Sequence, residues 1–281
     1  MSTILDGQKI AAEWRLETQI RVSQLLERNV TPGLAVVLIG HDPASEIYVR
    51  NKAKQATKIG IHSEVRRLPE DVSQAELSTV IRSLNLDPAI DGILVQLPLP
   101  AQIDEEAVLL AVDPHKDVDG FHPYNFGKLW SGQPELVPAT AAGIMKLLAT
   151  YQISVAGKQA LVIGRSLIVG RPMAALLLAA NATVTIAHSQ TQNIAQLAQQ
   201  ADIIVAALGV PRFVTADFVK PGAVVIDVGT NRVAGKLVGD VDFASVQAQT
   251  SYITPVPGGV GPMTIAALLS QTVDLAEKRL I

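Results

Sequence analysis

The chain has 281 residues, 48% of them apolar, and a mean hydropathy of +0.30; that length points to two domains, and that apolar share excludes a disordered chain. A formal charge of -3 and a pI near 6.0 give no general attraction to nucleic acid or acidic lipid, which needs a basic surface. The lack of cysteine excludes disulfides, thiolate nucleophiles and zinc-cysteine sites, so any acid, base or nucleophile comes from Lys, His, Tyr, Ser or carboxylates.

No window reaches the ~18 uninterrupted apolar residues of a membrane span. Met1–Asp6 carries no basic stretch leading into an apolar one, so a cytoplasmic location is expected. After Gly7, Ile10, Trp14, Ile20 and Leu25 recur near helical spacing until Asn29 and Pro32, which predicts an opening helix. "LAVVLIG" (34–40) is β-branched and apolar on both faces, as suits a covered strand of a parallel sheet. The next helix has Asp42 or Ser45 as its cap, Pro43 in its first turn and Gly60 as its stop. Ser73 and Glu76 form a capping box ahead of Leu77, Val80, Ile81 and Leu84. "GILVQL" (92–97) is a buried strand broken by "PLP", so the first half reads β-α-β-α-β with right-handed parallel crossovers.

The order repeats after Thr140, with a helix over 142–151 and the strand "ALVIG", a helix to Ala180 and the strand "TVTIA", a helix through Gln199, and the strands "DIIVAAL" and "AVVIDVG". Strands and helices alternating at this pitch predict a doubly wound, Rossmann-like nucleotide domain. Met263–Arg279 reads as a closing helix with Ile265, Leu268, Leu269 and Ala276 on one side. The fold class expected is α/β, with two α/β domains and a cleft between them.

"VIGRSLIVGRPM" (162–173) occupies the first strand-helix turn of the second half, where a dinucleotide pyrophosphate lies. Gly164 and Gly170 are six apart, so the middle glycine of G-x-G-x-x-G is missing. An NAD domain places an acid at the end of its second strand for the ribose 2′-hydroxyl. Here His188, Ser189 and Gln190 follow that strand, and none is a carboxylate. A 2′-phosphate would be repelled by an acid and held by a guanidinium, so Arg165 and Ser189 read as an NADP clamp, with a plain turn and a solvated arginine as the other reading.

"YVRNK" puts Tyr48 and Lys52 on one helix face, able to enter one pocket. Arg50, Lys54 and Lys58 share the segment, so a basic helix surface fits the same spacing. Gln96 lies at a strand's C-terminal end, where open α/β sheets bind ligands and where glutamine also satisfies backbone. "DPHKDVDGFHP" holds Asp113, His115, Asp117, Asp119 and His122, but Gly120 and Lys128 stand at the wrong positions for a calcium loop. A polar linker and Asp119 as a ligand carboxylate remain as readings, and no metal is expected. "TPVPGGVGPMT" (254–264) combines rigid prolines with permissive glycines, as in a shaped loop with exposed backbone N–H groups.

Together, "YVRNKAKQATKIGI", "DGILVQLPLP", "DVDGFHPYNFGKL", "GRSLIVGRP", "KPGAVVIDVGTNR", "GDVDF" and "TPVPGGVGPMT" closely resemble the bifunctional methylenetetrahydrofolate dehydrogenase/cyclohydrolase family, in order along nearly the whole chain. The resemblance implies a homodimer that binds folate and NADP, with a folate-binding catalytic domain at 1–121, completed by the C-terminal helix 262–281, and an NADP-binding domain at 138–258. It further implies that Lys52 handles the proton, that Tyr48 partners it over the folate, that Gln96 orients the lysine, and that Asp119 anchors the pterin. Gly258, Gly259 and Pro262 match the loop lining the folate site, and Gly164, Arg165, Ser166, Ser189 and Thr230 match the NADP contacts. Ala139 stands where the family often has cysteine, Ala141 where it has proline, and Thr230 where isoleucine is common.

The activity implied is oxidation of 5,10-methylenetetrahydrofolate to the methenyl form with NADP, followed by hydrolysis to 10-formyltetrahydrofolate, in one-carbon metabolism and purine biosynthesis. A two-domain NADP dehydrogenase of shikimate or amino-acid type shares the architecture. A non-catalytic NADP-binding regulator is the alternative outside enzymes, and the Tyr48, Lys52, Gln96 and Asp119 set speaks against it.

Overall fold

The computed structural model describes residues 2–280, which fall into two compact units: 13–137 with 265–280, and 2–12 with 138–264. The first twelve residues thus group with the nucleotide-type unit instead of with 13–121. The reason is pairing: β1 (Thr3–Ile4) lies parallel to a strand at Tyr252–Ile253. α1 (Gly7–Glu27) follows. Its buried line is Ile10, Ala11, Thr18, Val22 and Leu25; Ile20 is 62% exposed, so the expected apolar stripe is offset by part of a turn.

In the unit built on 13–137, β2 (Gly33–Ile39) is buried at all seven positions because it is the middle strand of a parallel three-stranded sheet, β3-β2-β4. α2 (Pro43–Lys58) starts where the Asp42 carboxylate accepts the Ser45 N–H at 2.7 Å, which makes Asp42 the cap. β3 (His62–Leu68) is an edge strand with no apolar run. α3 (Gln74–Leu86) opens on the complete Ser73/Glu76 capping box and buries Leu77, Ile81 and Leu84 against Ala35, Val37, Ile39 and Ile93 of the sheet. β4 (Gly92–Val95) ends one residue before Gln96. α4 (Glu105–Ala111) and α5 (Pro123–Trp130) are helices outside the elements expected from the sequence.

In the other unit, α6 (Ala139–Thr150), β5 (Gln159–Ile163), α7 (Gly170–Ala179), β6 (Thr183–Ala187), α8 (Ile194–Ala198), β7 (Ile203–Ala206) and β8 (Val224–Asp227) follow the expected alternation. A hairpin of β9 (Asn231–Val233) and β10 (Lys236–Val238) comes next, then α9 (Phe243–Val246), β11 (Tyr252–Ile253) and α10 (Val260–Glu277), which continues into 265–280. The sheet is parallel throughout, in the order β1-β11-β8-β7-β5-β6. β5 therefore has the strand that follows it on one side and β7 on the other. That reversal opens a crevice at the C-terminal ends of β5 and β7, where doubly wound sheets bind ligands. Among the described residues, no helix is long and apolar enough to cross a membrane.

Candidate active site

Lys52 sits on α2 and is only 5% exposed, unusual for a lysine. Of the two readings its spacing allows, burial excludes the solvated basic surface at this position. Its Nζ donates to Gln96 Oε1 at 3.2 Å and lies 4.9 Å from the centre of the Tyr48 ring. Gln96 is held by its own backbone: its N–H donates to Val37 O at 2.9 Å, and its Nε2 donates to Leu97 O at 2.8 Å. The amide oxygen is thereby turned toward the amine. Burial pulls the Lys52 pKa below its usual 10.5, while the negative charge of Asp119 pulls it back up. The aromatic face also favours the ammonium, but desolvation is the largest effect and decides the direction.

Asp119 keeps part of its surface in contact with solvent, yet protein around it raises its carboxyl to about 6. Desolvation is the main cause; Lys52 works against it and Asp117 adds to it. The structure thus brings Tyr48, Lys52, Gln96 and Asp119 together from a helix, a strand end and a loop. Asp117, which the sequence left among several polar residues, accepts backbone N–H groups from Gly120 and His122.

In the other unit, Gly164 has φ +129, and a Cβ there would lie 2.1 Å from Ala207 O, so only glycine fits where β5 and β7 diverge. A Cβ on Gly170 would meet Gly164 O at 2.2 Å, which brings the start of α7 onto the turn. Ser166 Oγ accepts Val169 N at 3.1 Å, so this predicted cofactor contact also caps the turn before α7. Ile163 and Ala187 are register partners, which places Arg165 and Ser189 each two residues past paired strand ends. Both are exposed, as is Thr230. The exposed turn over 165–168, the Arg165 guanidinium within it and no carboxylate after β6 form a set that fits a dinucleotide carrying a 2′-phosphate. Gly258 has φ +103, and a Cβ on Gly259 would lie 2.5 Å from Pro255 O, so this loop requires both glycines; with Pro262 it falls in the 138–264 unit.

Sequence reasoning missed two buried acids beside this crevice. Asp240, fully buried, accepts Leu208 N at 2.8 Å and Gly209 N at 2.9 Å from the end of β7, and Asn231 Nδ2 at 2.8 Å beside Thr230. Asp227 accepts Gly229 N, Asp240 N and Val241 N. Burial raises Asp227 to about 6, with Asp240 as a smaller cause. The available signal was a carboxylate inside the otherwise apolar strand "AVVIDVG".

Two family models match: tetrahydrofolate dehydrogenase/cyclohydrolase catalytic domain over residues 5–119, and the NAD(P)-binding domain of the same family over 138–280. The bifunctional protein FolD of Lactococcus lactis subsp. cremoris (strain MG1363) is 57% identical over 278 residues, 99% of this chain and 98% of that protein. The crystal structure of the bifunctional enzyme FolD, methylenetetrahydrofolate dehydrogenase/cyclohydrolase, from Campylobacter jejuni is 47% identical, with a TM-score of 0.98 over 99% of this chain and 100% of that one. The Trypanosoma brucei enzyme, complexed with NADP cofactor and inhibitor, is 39% identical with a TM-score of 0.96, covering 99% of this chain and 98% of that one. The chain belongs to the tetrahydrofolate dehydrogenase/cyclohydrolase family.

Proposed function

We propose that this chain oxidises 5,10-methylenetetrahydrofolate to 5,10-methenyltetrahydrofolate with NADP and hydrolyses the product to 10-formyltetrahydrofolate, as a cytoplasmic homodimer. Family membership supports the pair of activities. The observation that carries the hydrolytic half is Lys52, buried at 5% exposure, with its amine on Gln96 and its pKa lowered.

The methylene carbon lies between two nitrogens, so loss of hydride leaves a cation already stabilised by their lone pairs. Bound NADP supplies the hydride acceptor, held by Gly164, Arg165, Ser166, Ser189 and Thr230. The protein's part in that step is placement, which alone is worth up to about 7–11 kcal/mol in ideal geometry. Asp119 holds the pterin.

Hydrolysis begins as water adds to the methenyl carbon. An uncharged Lys52 takes the water's proton, leaving a neutral hydroxy adduct. Breaking the carbon–N5 bond then turns the hydroxyl into the formyl carbonyl, releasing its proton, while Lys52 returns a proton to N5. One proton is released overall. Gln96 keeps the amine in place, and the Tyr48 ring lies beside it.

The test follows methenyl absorbance formed from methylenetetrahydrofolate with NADP or NAD, and then its decay. A rise that needs NADP and then falls supports the whole reading. NADPH formation that depends on shikimate or an amino acid, without folate turnover, would replace it. Sedimentation of the purified protein tests the dimer.

A further inference from the structure

Asp117 does no chemistry in the mechanism above, yet it is a carboxylate only 6% exposed with both oxygens engaged. Oδ1 accepts Gly120 N at 3.1 Å, and Oδ2 accepts His122 N at 2.8 Å and Asn125 Nδ2 at 3.0 Å. Asn125 is itself buried, and its Nδ2 also donates to Pro114 O at 2.8 Å, so one amide joins the two ends of the segment. The near side is pinned to the sheet, where Ile93 N donates to Lys116 O at 2.7 Å. Val118 is fully buried, and its carbonyl accepts Gln271 Nε2 at 2.9 Å. Asp119 thus stands between Val118 and Gly120, both tied down, and Gly120 is tied by Asp117 itself.

We propose that Asp117 is a positioning residue for the substrate-holding carboxylate of Asp119, acting through the turn it closes and through its own charge. This rests on the reading that Asp119 holds the folate. An amide cannot replace the Asp117 carboxylate at no cost: all three groups it meets are donors, so the NH2 of an asparagine would face one of them. The second action is electrostatic. The charges that act on Asp119 are Lys52 of α2, which favours its ionised form, and Asp117 of its own loop, which opposes it. Burial pushes the Asp117 carboxyl itself upward, against the hydrogen bonds from His122 N, Asn125 and Gly120 N and the His122 side chain nearby.

The experiment measures folate KM and kcat against pH, at saturating NADP, for wild type and for Asp117→Asn, Asp117→Glu and Asp119→Asn. If an ionised Asp119 grips the folate, wild-type KM rises as pH falls through about 6. Asp117→Asn is expected to move that rise to lower pH by about half a unit or more, because a like charge is gone. It is also expected to raise folate KM roughly tenfold at every pH, with little change in kcat or NADP KM, as one stranded donor loosens the turn. Asp117→Glu keeps the charge and displaces the turn, so KM rises while the pH of the step stays. A merely structural role would lower the melting temperature and leave the step where it was.

Wild-type KM and an unmoved step in Asp117→Asn would overturn the proposal. Should that variant not fold, Asn125→Ala removes one of the three donors, and an unchanged folate KM there overturns it equally. If Asp119→Asn keeps wild-type KM and its pH step, the reading beneath fails instead; if Asp119→Asn loses both while Asp117→Asn changes neither, the inference alone fails.

Discussion

Lys52→Met separates chemistry from stability, because the same burial acts on both. The thioether fills nearly the volume of the lysine stem, so the variant loses the amine and little packing. Hydrolysis is expected to fall ~10²- to 10⁴-fold, the usual worth of a positioned base. NADP-dependent oxidation is expected to stay within about tenfold, since that step depends on placement. Stability moves the other way. A lysine whose folded pKa lies below 10.5 binds its proton less tightly when folded, so its contribution to stability rises with pH between the folded value and the unfolded one. Near neutral pH the wild type therefore carries a cost that methionine does not. Against this, Gln96 Oε1 loses its donor, at about 1 kcal/mol. The melting temperature should hold or rise while hydrolysis, read from the decay of added methenyltetrahydrofolate, is lost. Hydrolysis within tenfold of wild type in a folded variant would refute the base. A melting temperature lowered as by a core cavity would refute the claim that burial of this amine is costly.

Arg165→Ser should weaken NADP by roughly 10- to 100-fold, the worth of about 1.5–3 kcal/mol from charge-assisted bonds, and leave NAD nearly unchanged; equal losses for both in cofactor titrations would remove the clamp. Ser189→Asp restores the acid that an NAD domain carries after its second strand and should reverse the NADP to NAD preference in kcat/KM. Asp240→Ala strands Leu208 N, Gly209 N and Asn231 Nδ2, and should cost at least about 3 kcal/mol in urea unfolding; a loss under 1 would mean that water replaces the carboxylate. Asp227, raised from 3.8 to about 6, binds its proton more tightly when folded, so its stabilising contribution is full below 3.8 and lost as pH rises through 6. That is about 3 kcal/mol, and Asp227→Asn should flatten this part of the curve of melting temperature against pH.

The doubly wound unit was legible because its buried strands are continuous β-branched runs, and the capping box at Ser73 announced α3. β3 was harder to place: "HSEVRRL" lies at a sheet edge and does not need an apolar face. β1 and β11 are two residues each, below any periodic signal. α5 hid behind its polar entrance, where the His122 ring accepts Tyr124 N as cap. At the site, Tyr48 and Lys52 could be paired by spacing, but not Lys52's burial, since Arg50, Lys54 and Lys58 give the helix the look of a solvated basic surface. Which of the four cationic side chains on α2 is desolvated depends on Gln96 and Asp119, 44 and 67 positions away in sequence. The acids at 117, 227 and 240 stand in quoted motifs, but their burial could not be read for a similar reason: their partners are mostly backbone N–H groups, which carry no residue identity.

Burial drives two neighbouring ionisable groups toward each other, Lys52 down and Asp119 up to about 6. The proton then has two arrangements of equal net charge: ammonium with carboxylate, or amine with carboxylic acid. The proposed chemistry needs neither. It needs the amine and the carboxylate together, one unit more negative, which a free desolvated site disfavours. Removal of hydride supplies the compensation, because it makes the bound folate a cation. A positive charge arriving beside both groups favours the carboxylate and disfavours the ammonium, so the first reaction prepares the base for the second. On this account methenyltetrahydrofolate should release a proton to the medium on binding, before any hydrolysis, and methylenetetrahydrofolate should not. Stopped-flow traces with a pH indicator under single-turnover conditions would read it. Proton release of equal size with both folates, or its persistence in Lys52→Met and Asp119→Asn, would break the link between the two steps.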